Sequence, residues 1–232
     1  MTLRIAAASD LQRVLPKLTE RFSTGRRIII VSTFDASGRL AEQIKAGAPF
    51  DVFLSANRAL VDDLAKAGAV LPETVRDYAV GSLVLGLGAS APGTVGSLED
   101  LRKPEIRKIA IANPDYAPYG IAARQALQKA GLWSALEPKI VRADSVRQAL
   151  FYVQNGDAEA AFVSRSLIDP GQVRTVPVDP ALHDPLVQSL GVVSASRHRD
   201  EAAALARFLL GEEGQSILHG AGFEKPGGPG RG

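Results

Sequence analysis

Cysteine is absent from the 232 residues, and methionine and tryptophan occur once each. Without a thiol there is no disulfide, no cysteine–zinc site and no thiol nucleophile. The three histidines, His183, His198 and His219, lie far apart, near loops or a helix end, and read as surface residues rather than ligands or bases. A dominant charge is lacking too. Lys plus Arg number 27 against 25 Asp plus Glu, a net of +2. The arginines are scattered, which leaves no electrostatic footprint for nucleic acid. No apolar run approaches the roughly 20 residues of a membrane span. Gly86-Leu87-Gly88 lacks the third glycine of a dinucleotide fingerprint, and no Walker-type phosphate loop, G-x-S-x-G elbow or S-x-x-K exists. No nucleophile–base pair can be assembled, so neither catalysis nor a cofactor is expected.

What is present is an ordinary globular chain, 46% hydrophobic and 22% charged, long enough for one large domain or two small ones. It opens directly on a strand near residue 3, with no charged region, apolar stretch and small-residue cleavage site before it. That pattern fits a cytoplasmic protein or a mature exported chain given a new start methionine. The tail Pro226-Gly227-Gly228-Pro229-Gly230-Arg231-Gly232 is too rich in glycine and proline to pack and is expected to fray.

Short apolar runs alternate with amphipathic segments. Leu3 to Ala8 is a strand, followed by helix-spaced Leu11, Val14, Leu15, Leu18 and Phe22. Arg27 to Ser32 reads as a buried strand, and a helix with Leu40, Ala41 and Ile44 stops at Gly47. Asp51 to Ser55 is a third strand, followed by a helix that closes at Gly68. This alternation implies a parallel sheet covered on both faces. Val80 to Ala89 is long and glycine-rich and reads as a crossing into a second α/β unit. That unit holds strands at 108–112, 139–141 and 160–163, with helices at 120–130 and 146–154 between them. Leu186 to Val193 crosses back, and a final helix with Leu205, Phe208 and Leu209 covers the first unit. The expected architecture is therefore α/β and two-lobed, each lobe a mostly parallel sheet flanked by helices. Residues 1–80 and 190–232 form a discontinuous first lobe, residues 81–189 the second, and a cleft lies between them.

Four strand-to-helix junctions stand out: Ser9-Asp10, Ser37-Gly38, Tyr119-Gly120 and Ser145-Val146. A helix start offers unpaired N–H groups and a positive dipole end, which together attract an anion. In α/β sheets ligands lie beyond the carboxyl ends of the strands, where these turns fall. Two turns per lobe would surround a small anion with neutral donors. A simpler account stands beside this one. Ser9 with Gln12 and Ser145 with Gln148 are both S-x-x-Q, a capping box that needs no ligand. Gly38 and Gly120 say more, because glycine permits close approach to the backbone.

Several blocks together resemble a known family. They are Ala6-Ala7-Ala8-Ser9, Ser37-Gly38 with Leu40-Ala41-Glu42-Gln43-Ile44, and Gly47-Ala48-Pro49-Phe50-Asp51-Val52-Phe53-Leu54-Ser55-Ala56. Tyr78 to Leu85, Asn113-Pro114 with Ala117-Pro118-Tyr119-Gly120, and Ala143 to Ala149 continue the match in order. The chain resembles the molybdate-binding proteins of bacterial ABC importers, within the type 2 periplasmic binding proteins, from about residue 3 to about residue 224. The resemblance implies a two-lobed fold closing on molybdate or tungstate, held as an oxyanion with no direct metal ligands. It implies a periplasmic location, a permease and ATPase complex as partner, and a monomer. By position, Ser9 and Ser37 would donate through hydroxyl and N–H, Tyr119 and Val146 through N–H alone, and Asp10 through its N–H. Some members carry a tyrosine ligand where this chain has Ser164. Asp10 is expected to turn its carboxylate outward, away from a dianion, and Asp35 raises the same question. An inward carboxylate would instead suit a ligand carrying an amine. The alternatives are therefore the same fold binding sulfate, phosphate or an organic anion, or a ligand-sensing domain of a regulator. For the latter, residues 1–30 leave no room for a helix-turn-helix. A small α/β enzyme ranks last.

Overall fold

The computed structural model describes residues 1–169 and 171–227. In chain order the strands are β1 (Thr2–Ala8), β2 (Ile29–Asp35), β3 (Val52–Ser55), β4 (Arg76–Gly81), β5 (Leu83–Leu87), β6 (Ile109–Ala112), β7 (Ile140–Ala143), β8 (Ala160–Ser164), β9 (Arg174–Pro177) and β10 (Leu186–Val192). The helices are α1 (Leu15–Ser23), α2 (Ser37–Lys45), α3 (Arg58–Lys66), α4 (Pro118–Lys129), α5 (Trp133–Leu136), α6 (Val146–Asn155), α7 (Arg199–Leu210) and α8 (Glu212–Gly220). Two compact units result. One is Met1–Gly81 with the chain from Leu186 onward, and the other is Ser82–Pro185. Of the tail expected to fray, residues 228–232 lie outside the described residues.

In the first unit the sheet order is β2-β1-β3-β10-β4, with β1 parallel to β2 and β3, and β10 antiparallel to β3 and β4. The period of two along β1 feeds two cores. Leu3, Ile5 and Ala7 pack with Leu15, Leu18 and Phe22 of α1 and with Leu205, Leu209 and Leu218 of α7 and α8. Ala6 joins Leu40 and Ile44 of α2 and Val61 and Leu64 of α3. Side chains alternate across a strand, so a strand covered on both faces reads as one continuous apolar run.

In the second unit the order is β7-β6-β8-β5-β9. Strand β6 is parallel to β7 and β8, while β5 is antiparallel to β8 and β9. Helices α4 and α6 pack on β5, β6 and β8. Glu159 is the buried acid here. Its Oε2 accepts the N–H groups of Lys108 at 2.8 Å and Arg107 at 3.0 Å, and Arg107 Nη2 lies 3.2 Å from Oε1.

Several elements depart from the sequence reading. The apolar spacing from Leu11 predicts a helix directly after Ser9, but Ser9–Leu11 is one 3-10 turn and α1 begins at Leu15 with Pro16 in its first turn. Proline has no N–H and clashes with the preceding turn, so a helix starts at it rather than running through it. Strand β2 is an edge strand rather than a buried one, with Ile29 64% and Val31 47% exposed. The run from Val80 to Ala89 breaks at Ser82 into β4 and β5, one in each unit. Leu186 to Val192 lies wholly in the first unit, which moves the boundary from residue 190 to Leu186, because β10 pairs with β3 and β4. Strand β9 has no counterpart in the reading, since only Val176 of its four residues is buried. His183 is buried rather than exposed, at 5%. Its neighbour Asp184 is clipped to α4: Gln125 Nε2 donates to Asp184 Oδ2 at 2.7 Å, and the Asp184 N–H donates to Gln125 Oε1 at 3.0 Å.

Two predictions concern the second unit, whose Trp133 is the chain's one tryptophan and serves as its fluorescent reporter. A Cβ at Gly120 would stand 2.0 Å from the carbonyl oxygen of Ala112. Gly120→Ala must push α4 off β6, and the expected loss is about 1–3 kcal/mol in urea unfolding followed by Trp133 fluorescence. Burial raises the Glu159 pKa, but the N–H groups of Lys108 and Arg107, with the Arg107 guanidinium, outweigh it and hold the group below its ordinary value of 4.5. A depressed carboxylate stabilises the fold above its unfolded pKa and loses that contribution as pH falls. The stability gap between the native protein and Glu159→Gln should therefore be full at neutral pH and shrink as the pH drops through and below the ordinary carboxylate range, in unfolding curves taken across pH.

Candidate functional site

The register decides which junctions meet. In the first unit Ala8 of β1 lies opposite Asp35 of β2, so both strands end together and the chain turns at Ser9 and at Ser37 side by side. In the second unit Ala112 of β6 lies opposite Ala143 of β7. The ladder extends one step through the Asn113 N–H to the Ala143 carbonyl at 2.8 Å, and the Tyr116 hydroxyl donates to Asp144 Oδ1 at 3.1 Å. Those contacts hold the turn before Tyr119 beside the turn before Val146. Each unit thus brings two of the four junctions together at the carboxyl ends of its parallel strands, the usual place for ligands in α/β sheets.

Ser9 is 5% exposed, and its hydroxyl makes no hydrogen bond among the described residues. The S-x-x-Q capping box expected there does not form. The Gln12 N–H goes to the Ser9 carbonyl, and the turn has no side-chain cap. With only three residues of 3-10 helix, this junction also lacks the helix dipole that the spacing implied. Ser37 opens α2, whose N-cap is Ala36. Its buried hydroxyl accepts the Ala56 N–H at 3.0 Å. A hydroxyl has one proton and two lone pairs, so this contact orients the group and leaves its proton to donate.

Tyr119 is the second residue of α4, after Ala117 as N-cap and Pro118. Neither Ala36 nor Ala117 has a side chain able to cap, and neither α2 nor α4 has an acidic residue in its first turn. Elsewhere Asn57 caps α3, and acidic residues open α7 and α8. The starts of α2 and α4 thus have no side-chain cap, and in α4 the Gly120 N–H turns back to the Ala117 carbonyl at 2.9 Å. The Tyr119 ring is buried, and its hydroxyl accepts from Ser164 Oγ at 2.9 Å, with Ser166 Oγ 2.7 Å further on. Ser164 thus serves to hold that ring. The closeness that Gly120 permits is to the Ala112 carbonyl, a packing contact. At the fourth junction the capping box does form: Ser145 Oγ accepts the Gln148 N–H at 3.2 Å, while the Gln148 side chain reaches back to the Asp144 N–H. The Ser145 hydroxyl accepts as the helix cap, and the N–H of buried Val146 makes no hydrogen bond among the described residues.

The two carboxylates behave differently. Asp10 does not turn outward. It is fully buried, and its Oδ2 accepts from Gln188 Nε2 at 2.8 Å inside the first unit. An amide donor on β10 replaces the water that an outward carboxylate would have found. Gln188 gave one signal in the sequence, a polar residue interrupting the apolar run from Leu186. Asp35 stays at its own strand end, where Oδ1 accepts the Ala36 N–H at 2.7 Å and Arg39 Nη1 lies 3.9 Å away. Among the described residues no group of three or more His, Asp or Glu could hold a metal ion. The donors at the four junctions are neutral N–H and O–H groups.

Residues 3–224 match the family model described as bacterial extracellular solute-binding protein. The molybdate-binding protein of Rhodobacter capsulatus is 34% identical over 221 residues, covering 94% of this chain and 86% of the relative. The solved periplasmic molybdate-binding protein of Azotobacter vinelandii superposes with a TM-score of 0.90 at 29% identity, covering 97% of this chain and 99% of that one. The sulfate-binding protein of Mycobacterium tuberculosis shares the fold, with a TM-score of 0.82 at 18% identity and coverage of 98% and 88%. Two mixed sheets flanked by helices, with uncapped helix starts at their strand ends and a full-length family match, make one conclusion: this chain belongs to the bacterial extracellular solute-binding proteins.

Proposed function

We propose that this protein is the solute-binding component of an ABC importer and that it captures molybdate or tungstate outside the cytoplasmic membrane, for delivery to a permease and ATPase. The proposed donors are the hydroxyl and N–H groups of Ser9 and Ser37 and the N–H of Asp10 in the first unit, and the N–H groups of Tyr119 and Val146 in the second. The observation that carries this reading is the donor set itself: uncharged N–H and O–H groups, paired at the strand ends of each unit. Hydrogen bonds to a charged partner contribute about 1.5–3 kcal/mol each, so several neutral donors suffice to hold a dianion without a cation. Such a set suits an anion that has lost all its protons. Hydrogen phosphate brings a proton that needs an acceptor, and burying it against donors leaves an unmatched pair. Molybdate, tungstate and sulfate meet the requirement equally in charge and shape, so their separation rests on size. The likeness to named molybdate-binding proteins over nearly the whole chain favours the larger oxyanions.

Isothermal titration with molybdate, tungstate, sulfate and phosphate tests the assignment. Heat with molybdate and tungstate and little with the other two is expected; no heat with molybdate beside clear binding of another anion overturns it. Ser37→Ala removes one donor and leaves the Ala56 N–H without its acceptor. Its expected cost to molybdate binding is about 1.5–3 kcal/mol, and an unchanged affinity would remove Ser37 from the site.

A further inference from the structure

Gln188 belongs to none of the four junctions, yet it is fully buried in the sheet of the first unit. Both ends of its amide are occupied. Nε2 donates to Asp10 Oδ2 at 2.8 Å, and Oε1 accepts from the Tyr78 hydroxyl at 3.3 Å. Chemistry fixes the direction of this relay. A carboxylate can only accept, so the NH2 end faces Asp10. Burial, and then the charge of Asp10, push the Tyr78 hydroxyl well above its ordinary pKa, so it keeps its proton and donates to the amide carbonyl. The backbone is arranged for this contact. Gln188 pairs with Ala79 and Ser189 with Asp77, so the register skips Tyr78. A bulge of this kind re-aims a side chain.

Asp10 is the residue that follows Ser9. If its carboxylate swung toward an oxyanion held at that turn, repulsion would rise in proportion to the ligand's charge. We propose that Gln188 is a positioning residue that sets charge specificity: it holds the Asp10 carboxylate inside the first unit, so that the Ser9–Asp10 turn presents its donors without its charge. This inference rests on the oxyanion reading of that turn.

The test is a double-mutant cycle of Gln188→Met and Asp10→Asn, read by titration at low ionic strength with molybdate, a dianion, and perrhenate, a tetrahedral monoanion. Gln188→Met keeps the side-chain length and removes both hydrogen bonds. It should weaken molybdate at least about tenfold and perrhenate only about threefold, as Coulomb repulsion scales with ligand charge. In the Asp10→Asn background the same substitution should cost molybdate less than about threefold. Unchanged affinity in Gln188→Met, equal losses for both anions, or a full loss that persists with Asn at position 10 would overturn the proposal. If perrhenate binds too weakly to measure, the molybdate cycle decides alone. If Gln188→Met does not fold, Gln188→Asn withdraws the amide by one methylene and carries the same comparison. The native protein provides the separate check on the ligand. Binding of sulfate in place of molybdate overturns the ligand assignment and moves the same cycle to sulfate, and binding of no oxyanion overturns both.

Discussion

Everything at the four junctions depends on one constraint, the parallel registration of neighbouring strands. Ala8 stands opposite Asp35 and Ala112 opposite Ala143, so in each unit two strands finish level with one another. A parallel strand cannot return by a tight hairpin; the chain must leave through a crossover, here a helix, preceded after β1 by a 3-10 turn. The first turn of such a helix has N–H groups with no carbonyl four residues back to accept them. Two such turns set side by side form a patch of donors made by topology before any side chain is chosen. What the side chains then decide is whether those donors are satisfied internally or kept for a ligand.

In this chain the choice differs from helix to helix. Asn57 accepts the Ala59 N–H at 2.8 Å and closes the start of α3. Glu212 and Glu213 bring negative charge to the start of α8. Helices α2 and α4 have alanine at the same position, although a serine or asparagine there would add about 1 kcal/mol of stability. Leaving that contribution unused is what a helix start reserved for a bound anion requires. Helix α6 divides the two tasks: Ser145 caps the third position, and the first N–H, that of Val146, stays available.

Most of the fold was legible in the sequence because its signals are local. Buried strands such as Ile109–Ala112 and the stretch 160–163 of β8 are unbroken apolar runs, and α4 and α6 show their periodicity plainly. What escaped depends on partners far along the chain. The exposed face of β2 follows from its place at the sheet edge, which its apolar residues do not reveal. Strand β9 is defined by pairing with β5 and carries almost no apolar pattern of its own. The four junctions were visible as strand-to-helix turns, but the state of each hydroxyl was not. Ser9 and Ser145 share the motif S-x-x-Q, and only Ser145 caps, because Pro16 delays α1 until residue 15 whereas nothing interrupts α6. The Ala56 N–H that orients Ser37 comes from 19 residues away, beyond the reach of any motif.

Asp10 shows the same limit more sharply. An acid beside an anion-binding turn reads as a contradiction so long as solvent is the only imagined place for its charge. The structure offers a second place, the interior of the unit itself, where an amide on β10 meets the carboxylate across 178 positions of sequence. A buried carboxylate is tolerated only when hydrogen bonds replace its lost water, and one of those bonds comes from Gln188. The bulge at Tyr78 in turn lets a tyrosine hydroxyl complete the other end of that amide. A charge that would oppose an anion at this turn is thereby tied into the core that supports the turn, while in the proposed site the backbone of the same residue would donate. On that proposal, side chain and main chain of one residue carry contrary electrostatic roles, and the distant strand keeps them apart.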